Sequence, residues 1–465
     1  NTCNLEQQDA FVKYPEIYER KRNDIIELCD WFNVENVNYK YDYLITFDLE
    51  AMLQKIEESK EDTKLNYVAK HIPVSASIAT NVPWFDDEEY FILSTDPNEI
   101  ATLMFEYFDK VAEMAEILMT FEMSPLIEKI NNHYNETEKK KWLAIVENYC
   151  SNIPIVGFNT GFYDINLLSN YGFMKEIYKR DPNPFIIKNG TRYKVIKTKQ
   201  FTFLDQMNYC AAGTSLLKFI KAYDIDEENG HFPYQWFDSY EKLDYLISDL
   251  KIEDFDSSLK NTTMDENDFK ELMETCSKLN LIYVKDLLKW YNNLDVRPML
   301  KACLKQKEFY YSFDLDMYKD GFTLPGLSET ILFQFAQKGF KEYLKQEPEI
   351  KDGICFYPKN IDKKIENYKE QDIKAERSLD NYIKNNEVIE LFKRQKYVCY
   401  YCWNSSTVYD WSLDRIDCSK AHTSGNCVIA CVNCNRQRKD TFMPKFYRKK
   451  ALLRFAKNHP MIYLI

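Results

Sequence analysis

Two Cys-x-x-Cys pairs near the end of the chain, Cys399/Cys402 and Cys431/Cys434, restrict its folding options more than any other feature. They are separated by 28 residues. Two such knuckles can each give two thiolates to one tetrahedral Zn2+. Four thiolates leave no open coordination position, so the implied ion is structural rather than catalytic. A metal suits this stretch, because a module of about seventy residues buries little core by itself. The expectation is a small zinc-bound module over residues 391–465.

Cysteine and charge usage support that partition. Six of the thirteen cysteines lie between Cys399 and Cys434, and the other seven are scattered singly, as buried thiols in a reducing compartment would be. From Leu391 onward there are 14 basic and 4 acidic residues, on a chain whose net charge is −12. Such a compact basic region points to a polyanion partner, although a solvated face would also look like this. Arg436, Arg438, Lys439, Lys445, Arg448, Lys449 and Lys450 are the candidates for phosphate contact. No apolar run reaches the ~18–20 residues of a membrane helix, and Asn1 to Glu6 lacks a secretory pattern. The expected location is intracellular, in nucleus or cytoplasm.

The remaining 390 residues read as an α+β region. Residues 1–40 read as a helical N-terminal segment. Tyr43 to Phe47 is a β-prone run that leads into Asp48-Leu49-Glu50. Pro73 to Ile78, Tyr90 to Leu93 and Ile153 to Phe158 are further strand candidates, and Pro182 to Thr202 reads as hairpin strands. Glu99 to about Lys129 carries a long amphipathic helix pattern, and helices are expected to dominate from Ser215 to Glu308. Residues 341–390, lysine-rich and polar, are expected to be a helical linker.

Three segments bring carboxylates beside strand or helix ends. In Asp48-x-Glu50, strand alternation points both side chains to one face. Asp164 follows Asn159-Thr160-Gly161-Phe162-Tyr163 at the end of an apolar strand. Tyr291 and Asp295 share one helical face at i, i+4. Four converging carboxylates would hold two divalent ions, Mg2+ or Mn2+, about 4 Å apart for phosphodiester hydrolysis. Tyr291 is placed to orient the attacking water.

The order and spacing of these segments resemble the three exonuclease motifs of family B DNA polymerases, in particular the protein-primed viral and organellar branch. Ile155 to Leu168 is similar to that family's second motif, Ser215-Leu216-x-x-Phe219 resembles its single-strand-binding motif, and His231 to Tyr234 and Leu287 to Val296 also look familial. The resemblance covers roughly residues 41–340. It implies an RNase H-like fold, 3′→5′ exonuclease chemistry at Asp48, Glu50, Asp164 and Asp295, and strand contacts at Asn159, Ser215, Leu216 and Phe219. Beyond Gly321 to Leu327 the remaining chain is too short for a palm, and no Asp-Thr-Asp-like signature follows. Polymerase activity is therefore not expected.

Residues Leu413 to Asp440 resemble the HNH, or ββα-metal, nuclease family. The resemblance makes Asp414 and Asn435 the ligands of one divalent ion, with Asn426 bracing the loop. Arg415 stands where that family usually has its histidine base, and arginine cannot accept a proton at neutral pH. His422 is then either a substitute base or an ordinary loop histidine. Arg415 joins the candidate nucleic-acid contacts. Taken together, the sequence predicts a metal-dependent DNA nuclease that pairs an exonuclease-like domain with an HNH module. The competing readings are a non-catalytic DNA-binding protein and an RNA-directed nuclease. A homodimer is a further possibility, because HNH enzymes that make double-strand cuts are often paired.

Overall fold

The computed structural model describes residues 24–34, 37, 40–55, 69–133, 136–225, 230–257, 263–336, 339–349 and 356–457. Most of the expected N-terminal helical segment lies outside them, although Asp24–Phe32 is a helix. The chain divides into two compact units, one of 36–125 and 144–327, the other of 1–35, 126–143 and 328–465.

The larger unit is built on a mixed seven-stranded sheet. Its strands are β1 (Ile45–Lys55), β2 (Ala69–Thr80), β3 (Tyr90–Leu93), β4 (Ile153–Gly157), β5 (Phe185–Asn189), β6 (Arg192–Lys197) and β7 (Phe201–Asp205). Their order is β3-β2-β1-β4-β7-β6-β5. β1 to β3 form an antiparallel meander, β4 lies parallel to both β1 and β7, and β5 and β6 return antiparallel. β4 and β7 are buried along their whole length, as central strands covered on both faces are, and β7 carries Thr202 and Asp205 into that interior.

Alternation along β1 shows what covers each face. Phe47 packs edge-on against Phe108 of helix α1 (Pro97–Glu122), which also meets Phe201 and Phe203 through Phe105. The neighbouring Thr46 hydroxyl instead donates to the Val296 carbonyl, 2.9 Å away on the long helix from Val284 to Tyr311. The two helices therefore sit on opposite faces of the sheet. Asp48 and Glu50 share the parity of Thr46, so they point to the side of the Val284–Tyr311 helix. β1 carries the Asp-x-Glu motif within the strand, as expected, whereas two readings shift: α1 ends at Glu122, and much of 240–255 forms short 3-10 turns instead of helices.

The smaller unit contains the cysteine pairs. A two-stranded sheet, β8 (Ser412–Arg415) with β9 (Cys427–Ala430), precedes the helix Val432–Arg438. The stretch expected as a linker contributes to this unit's core. Ile361 and Ile365, on the helix Ile361–Lys374, pack with Trp411, Leu413 and Ile429. Its lysine-rich text describes the solvent side of that helix, while Ile361 and Ile365 supply the apolar stripe. The larger unit ends at Leu327 rather than near 340. Among the described residues no helix is long and apolar enough to cross a membrane.

Candidate functional site

Asp48, Glu50 and Asp295 bring one carboxylate oxygen each within 4.8 Å of the others. Asp164 lines the same cavity of about 620 Å³, together with Asn159, Tyr163, Tyr234, Tyr291 and His71. Asp48 and Glu50 arrive by strand alternation. Tyr291 and Asp295 lie one turn apart on helix α2 (Val284–Tyr311), which crosses that face of the sheet. Asp164 opens the helix Asp164–Ser169 directly after the loop that leaves β4.

That loop has a special backbone. Asn159 is left-handed, with φ of 61°, a conformation asparagine tolerates better than most residues. Its amide donates to Asp205 Oδ1 at 3.0 Å. Asp205 is buried and is also held by Arg192 at 2.9 Å. The Gly161 carbonyl accepts from the Tyr193 amide at 2.8 Å, and a Cβ on Gly161 would lie 1.9 Å from the Tyr193 carbonyl oxygen. Only glycine fits so close to the β6 backbone.

Supporting residues that sequence reasoning missed come from distant segments. The Tyr234 hydroxyl donates to Glu50 Oε2 at 2.8 Å. Asn292 is fully buried, takes the Ser75 hydroxyl at 3.1 Å and donates to Asp48 Oδ2 at 3.3 Å. The Tyr163 hydroxyl lies 2.6 Å from His71 Nδ1. Asn292 and Tyr163 lie inside the expected third and second motifs and Tyr234 in the His231–Tyr234 stretch, so each had a local signal, whereas Ser75 and His71 had none.

The carboxylates crowd one another. Burial, then the charges of Asp164, Asp295 and Glu50, holds Asp48 well above the usual carboxylate value. Burial pushes Asp164 up to about 7. Burial, Glu50 and Asp295 also raise the Tyr291 hydroxyl, keeping it a proton donor. Such a cluster of like charges, open to a cavity and oxygen-only, suits hard divalent cations. Asp48, Glu50 and Asp295 could hold one together, with Asp164 on the same cavity wall.

The expected strand contacts divide. Asn159 lines the cavity. The Ser215 hydroxyl caps the helix Leu216–Lys221 by accepting from the Lys218 amide, and Leu216 is that helix's half-buried first residue. Phe219 is buried, with its ring 6.2 Å from that of Phe158, which lines the cavity.

In the smaller unit the four thiols of Cys399, Cys402, Cys431 and Cys434 come within 4.8 Å of one another and are placed to hold one metal ion. The hydrogen bond with Cys399 first draws Cys402 down to about 7, while its three thiol neighbours push Cys434 far up. Four thiols this close cannot all ionise without a cation.

The expected second divalent site does not fit its residues. Asp414 Oδ1 accepts from Arg438 Nη1 at 2.6 Å, and Oδ2 accepts from the Tyr401 hydroxyl at 2.5 Å. Arg438 is 1% exposed, so it is a buried counter-ion rather than a phosphate contact. Asn435 donates from Nδ2 to the Ser412 hydroxyl and the Leu413 carbonyl, bonds that fix its side chain without using Oδ1, so the misfit lies at Asp414. Asn426 braces the loop as expected, with bonds to Asp417 and Ala421. His422 is buried. Its Nδ1 lies 2.8 Å from Asp372, and its ring stacks on Tyr368. Burial lowers its pKa, and Asp372 works in the opposite direction. Arg415 pairs with Asp372 at 3.4 Å. Asp372, on the supposed linker, was invisible to motif reading. Arg436 and Lys439 are exposed, whereas Arg448 lies half-buried over Phe340.

No protein-family model matches this chain, and no curated protein matches it.

Proposed function

We propose that the chain is a metal-dependent DNA nuclease whose reaction centre is the carboxylate cluster of the larger unit, acting as a 3′→5′ exonuclease. The observation that carries this reading is the convergence of Asp48, Glu50 and Asp295 within 4.8 Å, beside Asp164, in one cavity. The motif resemblance to family B exonuclease domains supports it. So does a mixed sheet whose first strand bears the Asp-x-Glu pair, as an RNase H-like fold requires.

When bound, Mg2+ or Mn2+ would supply the activation of water and the stabilisation of the leaving oxygen. The protein's own residues do the rest. Tyr234 fixes Glu50, and Asn292 fixes Asp48, so neither carboxylate swings free. Tyr291 keeps its proton and lies on the same helix face as Asp295, where it orients the water. The Asn159 loop, anchored by Asp205, aligns the strand end against Asp164.

For the four-cysteine module the reading is a zinc-closed platform derived from an HNH nuclease. The Arg438–Asp414–Tyr401 cluster favours DNA holding over cutting there, because both Asp414 oxygens are already engaged. The test is incubation with labelled single-stranded DNA, duplex DNA, circular DNA and RNA in Mg2+ or Mn2+. Stepwise shortening of linear DNA that vanishes in Asp48→Ala is the expected result. Survival of every substrate would sink the nuclease reading. Nicking of circular DNA that depends on Asp414 would return the activity to the module. Faster loss of RNA than DNA would favour the RNA-directed alternative.

A further inference from the structure

The cavity over the carboxylates poses an electrostatic problem for a polyanionic strand. Among the described residues its lining holds Asp48, Glu50, Asp164 and Asp295 but no lysine or arginine. Divalent ions balance the carboxylates and the reacting phosphate. They do not reach the phosphates further along the strand, which still need donors. His71 is the one side chain in that described lining able to carry a positive charge.

His71 stands on β2, paired in register with Leu53 of β1, three residues beyond Glu50. Its ring meets Tyr163 edge-on at 5.6 Å between centroids, and Nδ1 lies 2.6 Å from the Tyr163 hydroxyl. Tyr163 directly precedes Asp164. Partial burial lowers His71 from its ordinary value, and in the neutral ring each nitrogen has a single role. When the tyrosine hydroxyl donates to Nδ1, the ring proton sits on Nε2.

We infer that His71 is a substrate-binding residue of this centre: oriented by Tyr163, it donates from Nε2 to a phosphate oxygen of the strand whose end occupies the cavity. The inference rests on the nuclease reading above. Tyr163 is then a positioning residue, and its link to His71 couples strand binding to the loop that bears Asp164.

The test separates binding from chemistry in the full chain. Affinity for labelled oligothymidylate is measured by fluorescence anisotropy in Ca2+, and hydrolysis is measured in Mn2+. His71→Phe should weaken binding and raise KM by about tenfold, the scale of one hydrogen bond to a charged group, and leave kcat within about twofold. His71→Gln, whose amide keeps a donor near the Nε2 position, should remain within about threefold of the parent. Terbium luminescence at the carboxylates should be unchanged in both, which shows an intact cluster. Unaltered oligonucleotide binding in His71→Phe overturns the inference. Equal loss of kcat in both variants at constant binding also overturns it, since that marks a structural role through Tyr163. If the parent protein binds but does not hydrolyse, the nuclease reading falls, while the Ca2+ measurement still decides the role of His71.

Discussion

Asp48 and Asp414 each project from a strand, and both are candidate metal ligands, yet their surroundings are opposite. Asp48 is crowded by other carboxylates, and the side-chain donor that reaches it is the neutral amide of Asn292. Asp414 already has a guanidinium and a phenol on its two oxygens. Burial raises both carboxyl groups, but at Asp414 the Arg438 charge opposes that rise. The first site carries unbalanced negative charge that a divalent ion relieves. The second is balanced from within, and an ion would have to expel a buried arginine. Readiness for metal is set by the neighbours of a carboxylate, not by its presence in a motif.

The largest expected effect tests a third kind of site, the four thiols. Removing the metal with a chelator should unfold the β8–β9 module and leave the seven-stranded sheet intact. Structural zinc in comparable modules contributes about 10–16 kcal/mol. Ion release measured with a colorimetric dye, alongside circular dichroism, checks this. A module that stays folded after metal loss would contradict it.

Asp48→Ala or Asp164→Ala should lower exonuclease turnover by about a thousandfold, the scale seen when one major transition-state contact is removed. Asp414→Ala should leave that turnover unchanged. Comparable losses at all three positions would erase the contrast drawn above.

Arg438→Met should destabilise the smaller unit by about 3–5 kcal/mol, because it strands the buried Asp414 charge. Adding Asp414→Leu should recover much of that loss in thermal unfolding. If the double variant is as unstable as the single one, Arg438 acts through packing rather than charge.

A pH series sharpens the same comparison. Asp164 rises from 3.8 to about 7 in the folded chain. A raised carboxyl stabilises fully below its unfolded value, and that stability is lost as pH rises through the folded one. Metal-free protein should therefore lose stability between these two values, and Asp164→Asn should flatten the slope. Mn2+ should raise the melting temperature more at the alkaline end of the range than at the acidic end. At the smallest scale, Ser215→Ala should cost about 1 kcal/mol as a lost helix cap. A loss of strand affinity with no change in melting temperature would instead make Ser215 a direct contact.

Short-range text was legible where local geometry set the outcome. The Asp-x-Glu pair shares a face because strands alternate, and Tyr291 and Asp295 share one because helices repeat every 3.6 residues. The cysteine pairs met because each knuckle is local and the intervening hairpin is short. Polar, lysine-rich text at 341–390 misled for a related reason. An amphipathic helix with one narrow apolar stripe looks like a linker until something packs on Ile361 and Ile365. The contacts of Tyr234, His71 and Asp372 were not legible, because their partners Glu50, Tyr163 and His422 lie 184, 92 and 50 residues away.

By itself the sequence determined which residues carry charge and thiols, and which neighbours share a face, since backbone periodicity follows from local sterics. Only the tertiary structure decided which carboxylates stand together and which are neutralised. Those outcomes depend on Coulomb and desolvation energies between groups brought close by packing, and packing places Asn292 against Asp48 but Arg438 against Asp414.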